Sequence, residues 1–108
     1  AGLFVTAEEM LALGREWLHP GRVLAPEAVA RALAGGGPYA LGWARQSHDG
    51  SSGPVFSSGS FGHTGFTGGS LWIDPERQRI VLVLAHRLSS QLDMNPIRRE
   101  IHRLAAEI

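Results

Sequence analysis

The chain has 108 residues, 44% hydrophobic and 19% charged, which is the composition of one globular domain at most, not of a disordered tail or a collagen-like repeat. Ten basic residues, all arginine, balance ten acidic ones, so no overall basic field draws in nucleic acid or an anionic membrane. There is no cysteine, which excludes disulfides, a thiolate nucleophile and Cys-based zinc sites, and no lysine, so a mechanism that needs one cannot be completed by these residues alone.

Thr6-Ala7-Glu8-Glu9 has the form of a capping box, with Thr6 as N-cap and Glu9 at N3. Met10, Leu11, Leu13, Trp17 and Leu18 then form the stripe of an amphipathic helix, which His19-Pro20-Gly21 stops. Residues 26–34 predict a second, shorter helix with Pro26 at N1 and Ala28, Val29, Ala32 and Leu33 as its apolar face. Residues 38–45 read as a strand, and residues 46–60, rich in Ser and Gly, as a flexible loop. Residues 69–74 and 80–85 read as an antiparallel hairpin around the polar turn 75–79. The run 80–84 is apolar without alternation, so both of its faces should be covered. Asn95-Pro96 opens a last helix, Asn95 as N-cap and Pro96 at N1. Its expected buried stripe is Ile97, Ile101, Leu104, Ala105 and Ile108, with Arg98, Arg99, Glu100, Arg103 and Glu107 on the opposite face.

This order predicts an α+β fold, an antiparallel sheet packed with N- and C-terminal helices. The longest apolar run, 80–85, is far shorter than the roughly 20 residues a membrane helix takes. The chain opens on Ala in mid-pattern, with no basic segment followed by an apolar run. It is expected to be a piece of something longer, with any targeting region, cytoplasmic or exported, on the preceding part.

Residues 59–69 are the most unusual segment: five of eleven are Gly, with His63-Thr64 held among them. Glycines let a backbone approach a ligand closely. A strand edge of N–H groups beside Thr hydroxyls and a His suits an oxyanion-forming substrate. The competing reading is a Gly-rich turn with an incidental His, and composition leaves the two at even weight. His63 is the candidate general acid/base or hydrogen-bond donor. His19 at a helix end, His48 in the loop, His86 at a strand end and His102, expected to face outward, read as structural. No two histidines have zinc-type spacing, and no metal site is expected. Arg98, Arg99 and Arg103 read as a solvated helix face, Trp43 and Trp72 as core, and Asp74-Pro75-Glu76 as turn chemistry. No serine lies in a GxSxG elbow.

The segment SFGHTGFTGGSLWIDPERQRIVLVLAHR resembles the third-motif region of the serine β-lactamase-like superfamily, which includes class C β-lactamases, DD-peptidases, D-aminopeptidases and carboxylesterases. That motif is Lys-Thr-Gly or His-Thr-Gly, here His63-Thr64-Gly65, and the FGHTGFTG form most resembles the esterase-like branch. AGLFVTAEEMLALGREWL, PYALGWARQ and Asn95-Pro96-Ile97-Arg98 resemble further segments of the family in the same order, so the likeness covers nearly the whole chain.

The resemblance implies that His63 orients the catalytic network or the acyl group, and that Thr64 hydrogen-bonds a substrate carboxylate or carbonyl. It makes the Phe66 backbone N–H, just after Gly65, one half of an oxyanion hole. Thr67, Asn95 and Arg98 match positions that would contact substrate. For Asn95 and Arg98 the capping and surface readings stand beside that one. The family nucleophile lies in Ser-x-x-Lys, which a lysine-free chain cannot hold, and the Tyr-x-Asn motif is absent because Tyr39 is followed by Ala40-Leu41.

The expectation is therefore a C-terminal portion, residues 1–108, of a serine hydrolase working through an acyl-enzyme, inactive alone. It would need no cofactor. Its partners would be the missing N-terminal part of the same domain and, through it, a small ester, amide or β-lactam. An exposed apolar sheet face could also bring two copies together. The alternative is a non-catalytic module that keeps the fold to bind a ligand or partner. A fragment should expose a broad apolar patch, and a module should not.

Overall fold

The computed structural model describes residues 3–86 and 92–108. Ala1, Gly2 and Arg87, outer residues of two of the resembling segments, lie outside the described residues. Helix α1 (Ala7–Leu18) starts as its sequence dictates: Thr6 Oγ1 accepts from the Glu9 N–H at 3.1 Å, and Glu9 Oε2 accepts from the Thr6 N–H at 3.0 Å. Both bonds satisfy N–H groups that a bare helix end would leave orphaned. The chain after α1 is gathered by Glu16, whose Oε2 accepts from the N–H groups of Val23 at 2.9 Å and Leu24 at 2.8 Å. Helix α2 (Pro26–Leu33) follows, with Val29 buried.

Four strands make one antiparallel sheet in chain order: β1 (Ala44–Arg45), β2 (Phe61–Thr64), β3 (Ser70–Asp74) and β4 (Arg79–Val83). With helix α3 (Asn95–Ala105) this is an α+β fold. The register sets Phe61 opposite Ile73, His63 opposite Leu71, and Leu71 opposite Leu82. Alternation then divides the side chains between two faces. Phe61, Leu71 and Ile73 form a core with Met10, Trp17 and Leu18 of α1, Leu33 of α2 and Trp43. Trp17, Trp43 and Phe61 meet edge to face, with ring centroids 5.3 to 6.0 Å apart. Gly14 brings α1 close to β4, since a Cβ there would stand 3.2 Å from Ile80 Cγ2. The other face carries Phe56, Trp72, Val81 and Val83, packed by Ile101 and Ala105 of α3.

Several expectations need correction. Residues 38–45 are not a continuous strand. The Ala40 N–H donates to Trp43 O and the Arg45 N–H to Pro38 O, both at 2.8 Å, so the segment doubles back on itself. Gly42 makes this possible with φ +80°, leaving two residues for the sheet. Strand β2 lies inside the Gly-rich segment, where no separate element was expected. Gly62 is required there, because a Cβ would collide with Leu71 O and the Trp72 ring. The segment 46–60 has no helix or strand but fills space: Ser52, Phe56, Ser57 and Ser60 are buried.

The largest correction concerns α3. Asn95 is not its N-cap. Met94 holds that position without a side-chain bond, and the Asn95 N–H donates to Asp93 Oδ1 at 3.0 Å. Nor does the Ile97, Leu104, Ile108 line face the sheet; Ile97 is 44% and Leu104 50% exposed. The buried positions are Arg98, 2% exposed, and His102, 1% exposed, neither of them solvated as expected. The helix is turned so that these two polar side chains reach backbone carbonyls in the layer beneath.

Candidate active site

The β2–β3 connection carries the His63-Thr64-Gly65 motif at one end of the sheet. The Gly65 N–H donates to Gly69 O at 2.8 Å, and the Gly68 N–H donates to Gly65 O at 3.0 Å. The second bond closes a four-residue turn, Gly65 to Gly68, with Phe66 and Thr67 at its centre. Gly68, with φ +102°, supplies the conformation that completes it. Strand β1 pairs only with Phe61 and Gly62, so beyond Gly62 the outer edge of β2 has no strand beside it among the described residues. Phe66 is 85% exposed, and among the described residues nothing accepts from its backbone N–H.

His63 lies on the α1 face of the sheet and is exposed. Its Nδ1 is 2.7 Å from Thr64 O. A carbonyl oxygen can only accept, so Nδ1 carries the proton and the neutral ring keeps its lone pair on Nε2. His63, Thr64 and Gly65 line a cleft of about 360 Å³ with Val5, Met10, Trp43 and Leu82. His63 and Thr64 thus border a partly apolar cleft, and the free Phe66 N–H lies on the turn that follows them. That set can accept a proton, hold a carbonyl or carboxylate, and stabilise a developing oxyanion.

Asn95 and Arg98 reach the same turn from behind. Arg98 Nε donates to Ser70 Oγ at 3.0 Å and its Nη2 to Gly68 O at 2.6 Å, while Nη1 donates to Asn95 Oδ1. Helix α3 is therefore fastened to the hairpin that carries the motif. The structure brings together all seven candidate residues: His63 to Thr67 on the hairpin, Asn95 and Arg98 beneath it. Sequence reasoning missed Gly68 and Ser70, the two groups that receive Arg98. The only signal was the run Gly68-Gly69-Ser70, which follows the motif after Phe66 and Thr67.

Two buried groups outside the motif have shifted proton affinities. Asp74 is fully buried; its carboxylate accepts from the Ser57 N–H at 2.9 Å, the Ser57 hydroxyl at 2.7 Å and the Arg77 N–H at 3.1 Å. Burial alone would push its carboxyl up, but these donors outweigh burial and hold it below the usual carboxylate range. Burial pushes the His102 imidazole down, more than the bond between its Nδ1 and Ser52 O raises it, and the Arg98 charge adds to the lowering. Neutral His102 thus donates from Nδ1 and buries an unpartnered Nε2. Among the described residues, no three His, Asp or Glu side chains gather where they could hold a metal ion. A larger apolar groove, about 820 Å³ between α1 and residues 22–24, contains none of the motif residues.

The Beta-lactamase family model matches residues 1–106. Neither the search of curated proteins nor that of solved structures returns a match. With nearly every residue matched, and with the α+β fold described above, the chain belongs to the beta-lactamase family, a group of serine-hydrolase-like proteins.

Proposed function

We propose that these residues are the C-terminal portion of an acyl-transferring serine hydrolase, esterase-like or β-lactamase-like. They supply the His-Thr-Gly motif and one oxyanion donor to a nucleophile carried upstream. The observation that carries this reading is the unpartnered backbone N–H of the exposed Phe66, in the turn that follows His63 and Thr64. In the reaction a serine oxygen attacks the substrate carbonyl and forms a tetrahedral oxyanion. The Phe66 N–H and the nucleophile's own N–H share that charge, the leaving group departs, and water releases the acyl group. His63 Nε2 and the Thr64 hydroxyl orient the acyl part. Because the chain has no lysine, a Ser-x-x-Lys nucleophile has to come from outside it.

The exposed apolar side chains favour this over a self-sufficient binding module. Leu3, Phe4, Val23, Leu41, Leu84 and Ile108 all stand largely in solvent. They support a surface covered by the rest of the domain, or by a second copy when that part is missing.

The test compares this chain with a longer product that includes the upstream region. The longer product should hydrolyse a p-nitrophenyl ester or a chromogenic cephalosporin, and a fluorophosphonate should label one upstream serine. The chain alone should do neither. Hydrolysis by the isolated chain, with label on one of its own serines, would overturn the proposal.

A further inference from the structure

We infer that Arg98 is a positioning residue that aims the Phe66 N–H, and that this, not contact with substrate, is its task. The inference rests on the proposed role of that N–H. The peptide unit joining Gly65 to Phe66 is planar and trans, so its C=O and N–H point in opposite directions. Whatever fixes Gly65 O therefore fixes the Phe66 N–H. Gly65 O is held by the Gly68 N–H at 3.0 Å. Gly68 in turn is held through its own carbonyl by Arg98 Nη2 at 2.6 Å, and Ser70, two residues on, is held by Nε at 3.0 Å.

The chain of constraint runs from α3 through Arg98 to Gly68, and from Gly68 to the peptide that presents the donor. Gly68 needs such a clasp. It is a glycine at φ +102°, with no side chain of its own to pack against the sheet. Asn95 Oδ1 takes a further guanidinium N–H, which orients the fork from within the same helix. Arg98 is itself buried behind the turn, whereas Phe66, which carries the proposed donor, is exposed. A rigid donor gains most when it needs no rearrangement as charge develops, so the effect belongs to the transition state and not to substrate binding.

The experiment uses the full-length protein with Arg98→Lys, which keeps the charge and loses the fork. Rates are read on a neutral p-nitrophenyl ester and on a carboxylate-bearing cephalosporin, together with amide exchange at Gly68. The expected result is kcat lower by about tenfold on both substrates, with KM within about twofold. Gly68 exchange should rise about tenfold while Trp72 and Val81 in the sheet keep their protection. An unchanged Gly68 exchange overturns the proposal. So does a KM that rises for the cephalosporin alone, because that marks a direct contact with its carboxylate. If the wild-type protein turns over neither substrate, the oxyanion reading fails, and Gly68 exchange alone still decides whether Arg98 holds the turn. Should Arg98→Lys not fold, Ser70→Ala removes one contact of the clasp and carries the same expectation at about threefold.

Discussion

The two faces of the sheet are built on different physics. The α1 face is closed by Phe61, Leu71 and Ile73 against Met10, Trp17, Leu18 and Trp43, and among the described residues the buried ionisable side chains, Asp74, Arg98 and His102, lie elsewhere. The α3 face mixes Phe56, Trp72 and Val81 with buried Asp74, Arg98 and His102. Apolar contact is non-directional, so the first face tolerates small shifts of its helix. Hydrogen bonds are directional, and a buried polar group left unpaired costs free energy. The second face therefore fixes its helix at one rotation and one depth. That precision falls where the His-Thr-Gly turn is anchored.

The largest effect should come from the apolar face. Phe61→Ala removes a buried ring that meets both Trp17 and Trp43, and should cost about 4 kcal/mol in urea unfolding. A loss below about 1 kcal/mol would mean that the aromatic cluster collapses to fill the space. On the polar face, Asp74→Asn keeps the shape but turns an amide toward the Ser57 N–H, Ser57 hydroxyl and Arg77 N–H. It should cost about 2 kcal/mol by the same measurement.

The sharpest contrast is with pH. His102 has its folded pKa lowered, so the unfolded chain takes up a proton first, and stability falls as pH drops below about 6.5, the ordinary histidine value. Asp74 also has its folded pKa lowered. Its contribution is present above the unfolded carboxylate value and is lost only as pH falls through the lower folded value. Thermal melts from pH 8 to pH 4 should show the first decline, and His102→Gln should flatten it. A wild-type melting temperature constant between pH 7 and pH 5 would show that His102 is not buried neutral.

Local signals were legible where they were self-contained. The Thr6 and Glu9 cap, the α1 stripe and the hairpin of β3 and β4 each rest on residues close in sequence, and each stands as expected except that Leu13 of the stripe is exposed. His63-Thr64-Gly65 stood out through its resemblance to the family's third motif, since by composition alone a Gly-rich turn carried even weight. Strand β2 was not, since Gly62 reads as a turn residue until Trp72 is seen lying over it. In residues 38–45 a largely apolar run that read as a strand concealed a reversal at Gly42.

Helix α3 marks the boundary between what the chain spells out and what the fold decides. Its length and amphipathic character are written locally, in Pro96 and in apolar residues at helical spacing. Its rotation is not. Arg98 finds Gly68 and Ser70, and His102 finds Ser52, partners 28 to 50 residues away. A hydrophobic period ranks side chains by their aversion to water, and by that ranking Arg98 and His102 belong outside. Only the assembled sheet brings those acceptors under the helix, and it is their directional bonds that turn Arg98 and His102 inward and leave Ile97 and Leu104 half in solvent.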